Sequence, residues 1–490
     1  MKRRLPLIFI LAVMAVLAAV PLLLGVRHRS ALERYRQSLR ASGQLKTLAE
    51  ATPAPLVNTL NGAPALTSLL IRLPAVPTEL QPLSARGLPA GKRGVTWSQA
   101  ILPTEQTTNV WPALRDFLST NATDLAALRS ACDAPVFDFP LRYQDGIKML
   151  FPHLPSAKRL AQTLAADALL QLHDGHPDAA LADVRGGVQF VARWNREPLL
   201  ITQLVRIAIG SIMANSTWEL LQFRGWTDAD LAALQGAWQE LDLSAIADRT
   251  FDMEQAWGQE AAHNLLTRAD HDAMQVAMGG NPSPTFSEIL NSCLDDPRAG
   301  FDEAWDRYPR WWAFRLWRCH QLELVNLQQT QAAREACRAA AASGAWFGPT
   351  DQAKQVIAGL EATVPRLPDY VFSGGSSYGS VLSKFAAFQS QRSLVLAAIA
   401  LERYRLKHGQ YPEHSAQLTP EFLAAVPRDD MDGQPLRYRR NADGTFTLYS
   451  IGEDGRDDGG DPTPTRTLPS WLHGKDLLWP QPASAAEVEG

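Results

Sequence analysis

Cysteine is scarce here. Cys132, Cys293, Cys319 and Cys337 are the only four in 490 residues, and their long, irregular spacing excludes a zinc ribbon. Cys319 and Cys337 fall eighteen positions apart on one predicted helix, about 27 Å at helical rise and too far to pair with each other. The even count still allows disulfides outside the cytoplasm, with buried thiols as the alternative. An excess of one charge is also missing, since 47 Lys and Arg face 51 Asp and Glu for a net charge of −4. No basic face stands out, which argues against nucleic acid as the main partner. Alternating strands and helices, the makings of a parallel sheet, are absent too. That weakens the single nucleophile-like pattern, Gly375-Ser376-Ser377-Tyr378-Gly379, because a G-x-S-x-G elbow needs such a sheet beneath it. A serine hydrolase acting through Ser377 would have to recruit His408, His414 or His473, and it is the least favoured alternative. His173 and His176 around Asp174, and His263 and His271 with Asp270, lack the spacing of a zincin and read as surface histidines.

Hydrophobic residues make up 46% of the chain, enough to bury a core in two or three domains. Lys2, Arg3 and Arg4 precede an uncharged run from Leu5 to Val26. As a helix this run would span the ~30 Å hydrocarbon layer of a membrane. No small-x-small cleavage site follows it, so an uncleaved transmembrane helix over 5–26 is expected. On its C-terminal flank stand Arg27, Arg29, Arg34, Arg36 and Arg40, and counting positive charges alone would keep the bulk of the chain in the cytoplasm. Residues 41–100 are interrupted by Pro53, Pro55, Pro64, Pro74, Pro77, Pro82 and Pro89, which implies a stalk or a strap along the next domain.

From Trp111 to about Ala342 the periodicity is helical. Helices are expected over Ser156–Leu172, Ala179–Trp194, Pro198–Phe223, Thr227–Leu241, Leu243–Arg268 and Arg310–Ala342. His173-Asp174-Gly175-His176-Pro177-Asp178 stops one helix and starts the next, and Asn281-Pro282-Ser283-Pro284 breaks the series. The run Asp306–His320 holds Trp311, Trp312 and Trp317 among arginines and reads as an aromatic core with cationic stems laid over it.

The stretch from Leu401 to Pro480 is the most informative. An apolar helix surfaces through Glu402, Arg403, Arg405 and Lys407 and stops at Gly409 and Pro412. Leu436 and Tyr438 alternate with Arg437 and Arg439, Asn441-Ala442-Asp443-Gly444 supplies a turn, and Thr445 to Ile451 alternates again, which predicts a β-hairpin. Glu453, Asp454, Asp457, Asp458 and Asp461 then crowd a loop rich in glycine. So many carboxylates suggest a hard cation such as calcium, although the spacing is not that of an EF-hand. ERYRLKHGQYP, a PxxDxxGxPxxY segment, LYSIGEDG and the closing DLLWP together resemble the C-terminal half of the major pseudopilin of type II secretion, over roughly residues 380 to 480. That family binds calcium in the loop after its last strand, which implies Asp454 and Asp476 as ligands here, with Asp457 and Asp458 beside them. The Gly-Phe junction and the early Glu that let pseudopilins assemble are missing, so a filament subunit is not implied.

The expected fold class is α+β. It comprises a basic N-terminus over 1–4, a transmembrane helix over 5–26, a membrane-proximal helix and Pro-rich stalk over 27–100, and an α-helical domain over 101–365. A pseudopilin-like helix and small antiparallel sheet over 366–480 and a tail over 481–490 complete it. The expected role is that of a single-pass protein of the bacterial inner membrane, its bulk extracytoplasmic, serving as scaffold or binding partner with a structural calcium ion. An accessory factor of a secretion or pilus system is the alternative.

Overall fold

The computed structural model describes residues 5–56, 60–82, 94–104, 108–264, 319–363, 375–461, 463 and 474–483, with 296 and 298, the side chains of 5–19, 21, 147–148, 261–264 and 375–377 excepted. The chain is α+β, mostly helical with one small antiparallel sheet. The break over Asn281–Pro284, the tryptophans of 311–317, Cys293, Asp270 and His271 lie outside the described residues.

The helical body is a series of antiparallel hairpins whose stops the sequence dictates. Helix α6 (His153–His173) ends where Gly175 takes φ 81°, a conformation that favours glycine. The His176 N–H bonds back to Gln171 O at 2.7 Å, and Pro177 opens α7 (Pro177–Arg193) where its missing N–H costs nothing. Next come α8 (Leu200–Leu221) and α9 (Asp228–Glu240), the latter capped by Thr227 and Asp230 in a reciprocal box. Helices α10 (Ala247–Asn264), α11 (Cys319–Ser343) and α12 (Phe347–Ala362) follow. The long α13 (Gly375–His408) then runs back through the body. Gly210 on α8 lets the helices cross closely, because a Cβ there would lie 2.4 Å from the Phe388 ring of α13.

Helix α13 stops at Gly409, φ 75°, whose N–H bonds to Arg405 O at 2.8 Å. Strands β1 (Arg437–Arg440) and β2 (Phe446–Ser450) pair antiparallel with Arg437 opposite Tyr449 and Arg440 opposite Phe446. A short β3 (Leu477–Leu478) adds to the other side of β2. The hairpin and its turn are where the sequence puts them.

Of the expected boundaries, one is decided between its two alternatives and two fall within continuous packing. Residues 41–100, so far as they are described, form a strap and not a free stalk: α3 (Ala63–Arg72) buries Leu66 and Leu70, and Leu73, Val76 and Leu80 continue the contact into the helical core. The line between 365 and 366 divides no core, because Trp218, Trp238, Phe388, Phe446 and Trp479 share one continuous cluster. Residues 481–483 are no tail. Ala483 N–H donates to Gln222 Oε1 at 2.7 Å, and Trp218 Nε1 donates to Pro480 O at 2.9 Å.

The N-terminal helix α1 (Leu5–Ala41) is continuous over 37 residues. Its C-terminal part is clamped to α11 by buried Leu32 and Leu39 and by the Arg36–Glu323 ion pair. Beyond the clamp, Val20, Leu22, Leu23 and Val26 stand exposed. Among the described residues no helix is long and apolar enough to cross a membrane, and most side chains of the 5–26 segment lie outside that description.

Candidate functional site at the junction of helix and sheet

The sheet meets the helical body through the loop 427–436. Trp346 N–H donates to Asp430 O at 2.7 Å and Phe347 N–H to Met431 O at 2.9 Å, so the start of α12 is stitched to this loop. At its centre sits Asp429, wholly buried. Its Oδ1 accepts from Met431 N–H at 2.9 Å and Ser450 Oγ at 2.6 Å, and its Oδ2 accepts from Ile451 N–H at 2.9 Å and Arg437 at 2.7 Å. Burial pushes this carboxyl above its usual range against the pull of those donors. Arg437 also reaches Asp432 at 2.6 Å and Asp457 at 3.2 Å. The hydrogen bond to Asp432 is the chief reason the guanidinium holds its proton more tightly than usual.

The acidic loop is organised around a different carboxylate. Asp476 is fully buried and accepts backbone N–H groups from Gly460 at 2.7 Å, Asp461 at 3.2 Å and Asp458 at 3.4 Å. Gly459 and Gly460, at φ 75° and 81°, let the backbone curl around it as an amide nest curls around an anion. Asp454 and Asp458 are exposed, and Asp454 accepts only from its own loop, at Arg456 N–H. Asp457 turns to Arg437 and Tyr449, and Lys475 pairs with Asp461 at 3.0 Å.

The four residues expected to hold calcium therefore do not converge. Asp476 faces amides, Asp457 faces a guanidinium, and Asp454 and Asp458 face solvent. Among the described residues no three His, Cys, Asp or Glu side chains gather as metal ligands do. A calcium ion needs six to eight oxygens with open lone pairs, and this arrangement does not supply them. Arg437 offsets Asp457 and Lys475 offsets Asp461, while Asp454 and Asp458 stand exposed.

Beside the Asp432–Arg437–Asp457 edge lies a cavity of about 550 Å³, walled by Ala345, Phe347, Pro349, Met431 and Ile451. The Phe347 ring packs so closely on Gly455 that a Cβ there would sit 2.4 Å away, which fixes the loop against α12.

The remaining candidates do not assemble. Ser377 lies in the first turn of α13 and His408 is its last residue, about 46 Å apart along a straight helix. The sheet is antiparallel, and His473 lies outside the described residues. His173 stacks on Trp111 at 4.1 Å and bonds to Trp97 O at 2.8 Å, a packing role. His263 carries no described side chain.

Sequence reasoning overlooked a second polar centre, in the helical body. Arg129, on α5 (Ala122–Cys132), holds two buried carboxylates, Asp183 at 2.5 Å and Asp167. Burial, reinforced by the charge of Asp167, pushes Asp183 up to about 8. Its only trace in the sequence is Asp167 and Asp183 on the apolar faces of two amphipathic helices.

No protein family, curated protein or solved structure matches the chain.

Proposed function

We propose that the protein is a membrane-anchored scaffold of the bacterial envelope. The observation that carries this reading is α1, one helix of 37 residues. Its uncharged start over 5–26 measures about 33 Å at helical rise, against a hydrocarbon layer of ~30 Å. Its end is locked to the body by Leu32, Leu39 and Arg36. A rigid body held at a fixed distance from a bilayer is what a scaffold requires. The body would lie on the extracytoplasmic side, where a pseudopilin-like module belongs; the succession of long helix, hairpin, acidic loop and closing strand supports that likeness.

The test is extraction of bacterial membranes with alkaline carbonate. The full chain should stay in the pellet, and a chain lacking residues 2–26 should be soluble and folded. Release of the full chain by carbonate would overturn the anchor. Protease added to spheroplasts should degrade the body, and its protection would reverse the orientation.

A further inference from the structure

The cavity at the junction combines two features that no single simple ligand class uses. Its wall is mostly apolar, through Ala345, Phe347, Met431 and Ile451. Its edge is anionic: Asp432 and Asp457 line it beside Arg437, and the buried Asp429 behind them shares that one guanidinium, leaving the four groups a formal charge of −2. Gly455 and Asp457 of the acidic loop line the same cavity, and Asp454 and Asp458 of that loop stand exposed on either side of Asp457 in sequence. An anion would be repelled here, and a purely apolar ligand would leave the charged edge unmatched. An apolar group followed by a cation complements both.

Shape narrows the class further. Ala339, Ser343 and Gly348 line the cavity and are exposed, so it is a shelf open to solvent. Small-molecule sites usually enclose most of their ligand, whereas a shelf suits side chains that project from a longer chain. The edge is also held in place before any ligand arrives: Arg437 is anchored to the buried Asp429, which accepts four hydrogen bonds in all, and this lowers the ordering cost of binding.

We propose that this shelf docks a partner peptide presenting large apolar side chains immediately followed by lysine or arginine. The proposal gives the scaffold reading a partner chemistry, but its test does not depend on the anchor, because binding is read in detergent whether or not the chain spans a membrane.

Three fluorescein-labelled hexapeptides serve as probes for anisotropy titration of the full chain: Gly-Phe-Leu-Lys-Arg-Gly, Gly-Phe-Leu-Glu-Glu-Gly and Gly-Ser-Ser-Lys-Arg-Gly. The first should bind about tenfold or more tightly than either control, with affinity falling as salt rises. Gly348→Trp supplies the block: a Cβ at Gly348 meets nothing within 4 Å, so the variant should fold while filling the shelf, and it should weaken the first peptide about tenfold. Asp457→Asn, at a half-exposed carboxylate, should weaken the basic peptides and flatten their salt dependence. Equal binding of the acidic peptide, indifference to Gly348→Trp, or no binding of any probe at millimolar concentration overturns the proposal.

Discussion

Four donors converge on the Asp429 carboxylate, and one of them is the guanidinium that also holds Asp432 and Asp457. Asp429→Ala would strand two backbone N–H groups and the Ser450 hydroxyl in a buried place, so it should cost about 3–5 kcal/mol, read as a lower urea midpoint. Asp432→Ala, at a partly exposed partner, should cost about 1 kcal/mol or less. The pseudopilin-like motif aligned its aspartate with Asp430, whose side chain bonds to Ser393; the neighbour that organises the loop was not marked. Residue type and order place two carboxylates there, but which of them gathers the donors depends on Ser450 and Ile451, 21 and 22 residues downstream. In the helical body, Asp183 holds its proton up to about pH 8, whereas the unfolded chain releases it near pH 4. Between those values the native state binds the extra proton. Stability therefore falls as pH rises through this window, by at most about 1.4 kcal/mol per unit, and levels off above it. Arg129, Asp167, Gln171 and Cys132 surround the group. Asp183→Asn should flatten that slope in melts taken from pH 5 to 9; an unchanged slope would assign it elsewhere.

At the scale of elements the sequence was most readable where a stop residue and a period coincide. The hairpin of α6 and α7, the capped start of α9, the end of α13 at Gly409 and the turn after β1 all fall within a few residues of where pattern and punctuation put them. Such features are local, set by φ preferences and hydrogen-bond supply within a few residues. The pairing of the acidic loop is not legible in the sequence because its partners are remote: Arg437 lies twenty residues before Asp457, and the carboxylate of Asp476 lies sixteen after Gly460. Acidic composition alone cannot tell a metal from an arginine as the source of counter-charge. Because the four expected ligands do not converge, melting temperatures with calcium and with a chelator should agree within about a degree. A calcium-dependent rise that Asp476→Asn removes would restore the ion.

For the whole molecule, periodicity and motif order separate a helical domain from a sheet module, yet one core runs through both. Trp218 and Trp238 on one side of that division and Phe388, Phe446 and Trp479 on the other belong to the same cluster. The strap before α4 (Trp111–Thr120) is the same lesson at the other end, since its prolines limit helix to short pieces such as α3 but say nothing about what the chain lies against. The last described residues have a further effect. Trp218 and Gln222 of α8 receive their partners from Pro480 and Ala483, 262 and 261 positions downstream. At ~5–20 residues per second of synthesis, that interval is roughly 13–50 s. During it the middle of the body waits with its aromatic face unsealed, while the apolar start of α1 has long since left the ribosome. The order of birth thus leaves closure of the body until last, with residues 480–483 acting as the final latch.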